Sequence, residues 1–129
     1  MPDDFNVYPI TIELVGVGKV SAELIRIKAP KTVGAILSRL PIKEKVNLYG
    51  QEIYFKADIN LGKEKPSKTA LNGDIAYWPM GDALCLFFGD TQPYSEVNIC
   101  GRLIPPFSFL KDVRKGTGVI VKRSEAKET

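Results

Sequence analysis

The sequence predicts a mainly β protein, a single domain built as a closed barrel or a sandwich. Three observations carry this. Short apolar runs, many with the period of two of a half-buried strand, recur along almost the whole chain, about eight in all. Glycine-bearing turns such as Gly16-Val17-Gly18, Asn72-Gly73-Asp74 and Gly116-Thr117-Gly118 separate them. Only one stretch, in the first third, has a clear helical period. With 129 residues and 44% hydrophobic content, the chain is sized for one packed core. The expected domain is residues 1–129, with an ordered core over about 7–122 and a charged tail, 123–129, that frays.

The elements follow in order. Tyr8, Ile10, Ile12 and Leu14 alternate with polar neighbours, and Val20, Ala22 and Leu24 do so after the glycine turn, which reads as a β-hairpin. Thr32 follows Pro30 as a helix N-cap, and Val33, Ile36, Leu37 and Leu40 form one apolar stripe that Pro41 ends. Short strands flank Tyr49-Gly50-Gln51, around Val46-Leu48 and Ile53-Phe55. Lys63–Lys68, polar and interrupted by Pro66, is a surface loop. Ile75–Trp78 is a strand. Ala83–Phe88 is the densest apolar run and suits a strand buried on both faces. After the polar loop Gly89–Ser95 come a strand over Val97–Ile104, broken at Gly101, a short helix over Ser108–Val113, and a last strand at Val119–Val121.

Composition narrows the chemistry. There is no histidine, so no Ser-His or Cys-His nucleophile pair, no histidine metal ligand and no histidine pH switch exists. The two cysteines, Cys85 and Cys100, are too few for a metal cage and read as reduced interior thiols. Neither a metal nor another cofactor is expected. The 18 basic and 15 acidic residues give a net charge of +3, and the basic clusters also contain glutamate. A nucleic-acid partner is therefore not expected. No apolar run approaches the ~20 residues of a membrane-spanning helix, and Met1–Asp4 is acidic, unlike a signal peptide. The expectation is a cytoplasmic protein without a membrane partner.

Three stretches, in order, resemble cyclophilins. Ala29-Pro30-Lys31-Thr32-Val33 is similar to the "PKT" start of their first helix. Gly73-Asp74-Ile75-Ala76 leading to Phe87-Phe88-Gly89 resembles the segment ending in their "QFF" strand. Val97 to Leu103 followed by Phe109–Val113 resembles their glycine-containing strand and short helix. Gly50-Gln51-Glu52-Ile53-Tyr54-Phe55 and the long stretch Trp78 to Gly89 look more specifically like a small prokaryotic cyclophilin-like domain family of unknown function. The resemblance spans about Val7 to Lys122 and implies a closed eight-stranded cyclophilin-like β-barrel, with one clear and one short helix capping its ends.

Cyclophilins rotate X-Pro bonds against a barrier of roughly 18–20 kcal/mol. That chemistry needs an apolar pocket for the proline and a hydrogen-bond donor for the twisted amide. Family members use an arginine donor on a strand with an "F-x-R" pattern. The corresponding stretch here, Tyr49–Phe55, offers Gln51 and Glu52 but no arginine, and Leu86 stands before Phe87 where a polar residue is expected. No catalytic residue is assigned. The sequence favours a module that binds a small molecule or an extended, proline-containing peptide in a partly apolar groove, with a weak peptidyl-prolyl isomerase as the alternative. The groove candidates are Glu52, Tyr54, Trp78, Met80, Phe87, Phe88, Thr91, Asn98 and Arg102. The aromatics and Met80 supply apolar wall, and Glu52 and Arg102 supply polar anchors. Thr91 lies on a loop at a strand end, where binding groups gather. Asn98 needs hydrogen-bond partners if it points inward.

Overall fold

A computed structural model describes residues 6–124. Nine strands are present: β1 (Val7–Leu14), β2 (Gly18–Ile25), β3 (Ile42–Lys45), β4 (Asn47–Tyr49), β5 (Glu52–Lys56), β6 (Asp74–Trp78), β7 (Ala83–Phe87), β8 (Asn98–Leu103) and β9 (Gly118–Arg123). One α-helix, α1 (Pro30–Arg39), and short 3-10 turns at Arg26–Lys28 and Ser108–Asp112 complete the described elements. The strands form one sheet in the order β3-β9-β1-β2-β8-β6-β7-β5-β4. All its ladders are antiparallel.

The two ends of that order, β3 and β4, are separated in the chain by Val46 alone. Val46 donates its N–H to the Thr117 carbonyl and accepts from the Gly116 N–H. One bent segment thus pairs with β9 through its first half and with β5 through its second, and the sheet returns on itself. This accounts for nine strands where the sequence predicts about eight. The polar run Lys43-Glu44-Lys45 hides β3 from a hydropathy reading because its side chains are exposed, while its backbone pairs with β9.

The period of two sorts the side chains. Ile10, Ile12 and Leu14 of β1, Val20, Ala22 and Leu24 of β2, Ile53 and Phe55 of β5, Ile75 and Tyr77 of β6, and Leu84 and Leu86 of β7 share one core. Val33 and Ile36 of α1 and Leu110 of the second 3-10 turn pack into the same core. Each large aliphatic side chain buried there contributes about 1.5–3 kcal/mol. A second, smaller cluster of Ala70, Ala76, Cys85, Phe87 and Val97 carries Tyr54, Trp78 and Ile99 at its margin. In β7 all five residues are buried, because this strand has a cluster on each face. Cys100 belongs to the main core and Cys85 to the second cluster; both thiols are free.

Three local readings change. Thr32 is not the N-cap of α1: Ala29 holds that position and Pro30 opens the helix. Pro30 lacks an N–H, so the next two donors, Lys31 and Thr32, turn to a carboxylate from a distant loop, Glu64, at 2.9 and 2.8 Å. The piece at Ser108–Asp112 is a 3-10 turn in place of the short helix expected there. The last strand extends through Arg123, which pairs with Ile10, and Ser124 donates its N–H to Pro9. The tail expected to fray, 123–129, thus begins with two residues that hydrogen-bond or pair with β1, and residues 125–129 lie outside the described residues.

Candidate ligand-binding site

On β5, alternation sends Ile53 and Phe55 into the main core and leaves Glu52 and Tyr54 on the opposite face. The β5–β7 ladder sets Glu52 opposite Phe87 and Tyr54 opposite Cys85. The β6–β7 ladder brings Trp78 alongside, opposite Ala83. Above this face lie the Lys63–Ala70 loop, tied to Val97 through a bridge at Ser67, and the Gly89–Glu96 loop. On this face, under the Gly89–Glu96 loop, is a hollow of about 180 Å³ lined by Glu52, Tyr54, Trp78, Tyr94 and Val97. A wider basin of about 440 Å³ adjoins it, with Lys63, Lys68, Met80 and Pro93 among its walls, and Tyr94 shared by both.

Three rings frame the hollow. Tyr54 and Trp78 meet at 86° with centroids 6.0 Å apart, and Trp78 and Tyr94 meet at 74° and 5.9 Å. Such crossings let a positive ring edge meet a negative ring face. The Trp78 indole N–H donates to Ser95 Oγ at 2.6 Å, which fixes the ring from the Gly89–Glu96 loop. A Cβ on Gly81 would overlap the six-membered part of the Trp78 ring, so glycine there lets the turn lie against the indole.

Glu52 is the unusual member. It is only 5% exposed, and its Oε1 has no hydrogen-bond partner. Burial pushes its carboxyl above the usual range, a shift that the neighbouring Cys85 thiol partly offsets. The Cys85 thiol is pushed well up in turn, by burial and by Glu52. In the basin, Lys63 is engaged by Glu96 at 2.6 Å, and that contact holds the Glu96 carboxyl below its usual range.

Residues 9–122 match the family described as cyclophilin-like. The chain belongs to the cyclophilin-like family. It is similar to the hypothetical protein AF2241 from Archaeoglobus fulgidus, with 38% identity and a TM-score of 0.78, covering 92% of this chain and 96% of that one. McbB, whose structure was determined in complex with tryptophan, shares the fold at a TM-score of 0.78 and 17% identity. That likeness covers 93% of this chain but only 46% of McbB. No curated protein matches the chain.

In this cyclophilin-like protein, Glu52, Tyr54 and Trp78 line the hollow together, and Met80, 74% exposed, lines the adjoining basin. The other candidates lie apart. Phe87 is fully buried beneath the site in the second cluster, and Phe88 packs on the main core. Thr91 Oγ1 accepts the Gln51 N–H at 2.7 Å and holds a turn. Asn98 is buried: its Oδ1 accepts from the Glu64 N–H, and its Nδ2 donates to Thr32 Oγ1 and the Gly62 carbonyl. Its hydrogen bonds are all spent on tying β8 to α1 and the 62–64 loop. Arg102 is exposed and paired with Glu23 at 2.9 Å. Arg39, on α1, pairs with Asp58. Among the described residues, no arginine lines the hollow.

Sequence reasoning misses Tyr94 and Val97. Tyr94 is an aromatic residue, 70% exposed, in an otherwise polar loop, and that mismatch was its available signal. Among the described residues, no group of acidic or cysteine side chains could hold a metal, and no helix is long and apolar enough to cross a membrane.

Proposed function

We propose that this protein is a binding module that takes a small, partly apolar ligand into the hollow between β5, β6 and the Gly89–Glu96 loop. One observation carries the reading. A buried carboxyl with an unpartnered oxygen borders a hollow walled by Tyr54, Trp78 and Tyr94. An unpartnered polar group inside a protein costs about 1–3 kcal/mol, so it needs a reason, and a ligand contact supplies one. An apolar wall with few polar groups is the common make-up of small-molecule sites. The tryptophan complex of McbB, on the same fold, supports a small ligand.

The isomerase alternative has less behind it. The family donor is an arginine, and the hollow offers only tyrosine hydroxyls and a carboxyl in its place. A fragment screen by protein NMR tests the binding reading. Hits are expected to shift the Trp78 indole N–H and the amides of Tyr94 and Ser95, while β1 and β9 stay unchanged. If no fragment perturbs the Trp78 indole, the reading is wrong.

A further inference from the structure

Taking that binding reading as its base, we propose that the hollow selects an organic ammonium group, seated among Tyr54, Trp78 and Tyr94 with Glu52 as its counter-charge. The ring geometry is the first argument. Crossings of 86° and 74° set Tyr54 and Tyr94 each at a steep angle to Trp78, so the three rings around the hollow do not form a parallel stack. Ring faces carry negative potential and attract cations held within about 6 Å.

Charge is the second. Glu52 is a buried acid with an unpartnered oxygen, and among the described residues no lysine or arginine lines the hollow with it. Of the two lysines in the adjoining basin, Lys63 is engaged by Glu96, and neither Lys63 nor Lys68 is among the residues that line the hollow. The site therefore supplies negative potential from rings and carboxyl together and lacks the matching cation. An anionic ligand would meet repulsion from both.

Size is the third. About 180 Å³ corresponds to roughly six waters at ~30 Å³ each. That suits a methylated ammonium head. A bulkier remainder of the ligand would extend past Tyr94 into the basin beside Met80 and Lys68.

A neutral ligand that accepts a hydrogen bond from protonated Glu52 is the competing occupant, and the two respond oppositely to pH. A cation favours ionised Glu52, so its affinity rises as pH rises through the Glu52 titration. A neutral acceptor needs the proton, so its affinity falls. The titratable groups facing Glu52 are Cys85 on β7, Tyr54 on β5 and Tyr94 on the covering loop, and none of them is a basic group. Lys63, Lys68 and Glu96 stand farther out, in the basin.

The experiment titrates the full chain with choline, tetramethylammonium and the neutral isostere 3,3-dimethylbutan-1-ol. It follows the fluorescence of Trp78, the one tryptophan in the sequence, and calorimetry. The cations are expected to bind at least about tenfold more tightly than the isostere, a difference of ~1.4 kcal/mol. Their affinity should increase with pH. Glu52→Gln should remove about tenfold from the cations and leave the isostere unchanged. If that variant does not fold, the isostere comparison and the wild-type pH profile decide. Equal binding of cation and isostere, or cation affinity that falls with pH, overturns the ammonium assignment. So does silence from both cations when NMR fragments bind the hollow, and in that case the binding reading stands. Silence from every probe and every fragment overturns both.

Discussion

The Tyr77 hydroxyl donates a 2.6 Å hydrogen bond to Asp82 Oδ1 across the turn that joins β6 to β7. The same oxygen accepts the N–H groups of Ile59 and Asn60, at 3.0 and 2.9 Å, and the Tyr77 oxygen accepts the Leu61 N–H. One buried pair thus fixes the loop that leads toward the site. Burial pushes the Tyr77 hydroxyl up to about 12, with the Asp82 hydrogen bond adding to the shift, so it remains a donor at any ordinary pH. Tyr77→Phe leaves Leu61 without its acceptor and removes one of the three donors to Asp82 Oδ1. The expected loss is about 1–3 kcal/mol in urea unfolding, with the β-sheet circular dichroism retained.

Glu64 governs part of the acid stability. Burial alone would raise its carboxyl, but hydrogen bonds from the Lys31 and Thr32 N–H groups and the Thr32 hydroxyl, with the Lys31 charge, outweigh this and hold it below the usual range. A folded-state value below the unfolded one adds stability above the unfolded value, and that stability disappears as pH falls through the folded value. Wild type should therefore lose stability progressively below about pH 4. Glu64→Gln, which accepts but does not titrate, should flatten that acid limb in unfolding titrations.

Glu52 has the opposite sign. Its folded-state value is raised, by burial, so the favourable protonated form persists at low pH and its contribution is lost as pH rises through the folded value. Glu52→Gln keeps the shape and removes the ionisation. In the absence of ligand the variant should gain stability relative to wild type above the carboxylate range and converge on it at low pH. A variant less stable than wild type at every pH would contradict this sign.

Gly101 is a steric prediction. A Cβ there would run into the backbone carbonyl of Glu23 on the neighbouring strand, which cannot swing aside as a flexible side chain can. Gly101→Ala should cost about 3 kcal/mol or more, the upper end of overpacking. Gly89→Ala meets only the Gln51 amide end and should cost clearly less in the same thermal unfolding series.

Gly81→Ala should act on the site more than on the fold. The added methyl meets the Trp78 ring, which is also held by Ser95 and Tyr94. The ring must tilt, at a cost of about 1–3 kcal/mol. A shifted Trp78 emission and weaker fragment binding, with the main-core amides unchanged in NMR spectra, is the expected result.

Strand periodicity was legible from residue type alone. Ile10-Ile12-Leu14, Val20-Ala22-Leu24 and the dense Ala83–Phe88 run announced their strands because burial of alternate residues leaves a hydropathy signature. β3 left none, since Lys43-Glu44-Lys45 faces solvent and contributes only backbone pairing. The helix stripe was legible too, but its capping was not: a carboxylate 33 residues from Lys31 closes it, and no local pattern encodes such a partner.

The site divides the same way. Residue types and their order carry the family resemblance, the lack of histidine chemistry, the lack of an arginine in Tyr49–Phe55, and nine groove candidates, of which Glu52, Tyr54 and Trp78 line the hollow. Which face these share depended on the folded arrangement, because a strand pattern gives alternation but not which side a loop will cover. The Gly89–Glu96 loop, lying over β5 and β6, brought in Tyr94, while α1 with the 62–64 loop engaged Asn98, Glu23 on β2 engaged Arg102, and Glu52 was left buried with an unpartnered oxygen. Burial of a charge beside rings is a property of three-dimensional proximity, and it gives the hollow its chemistry.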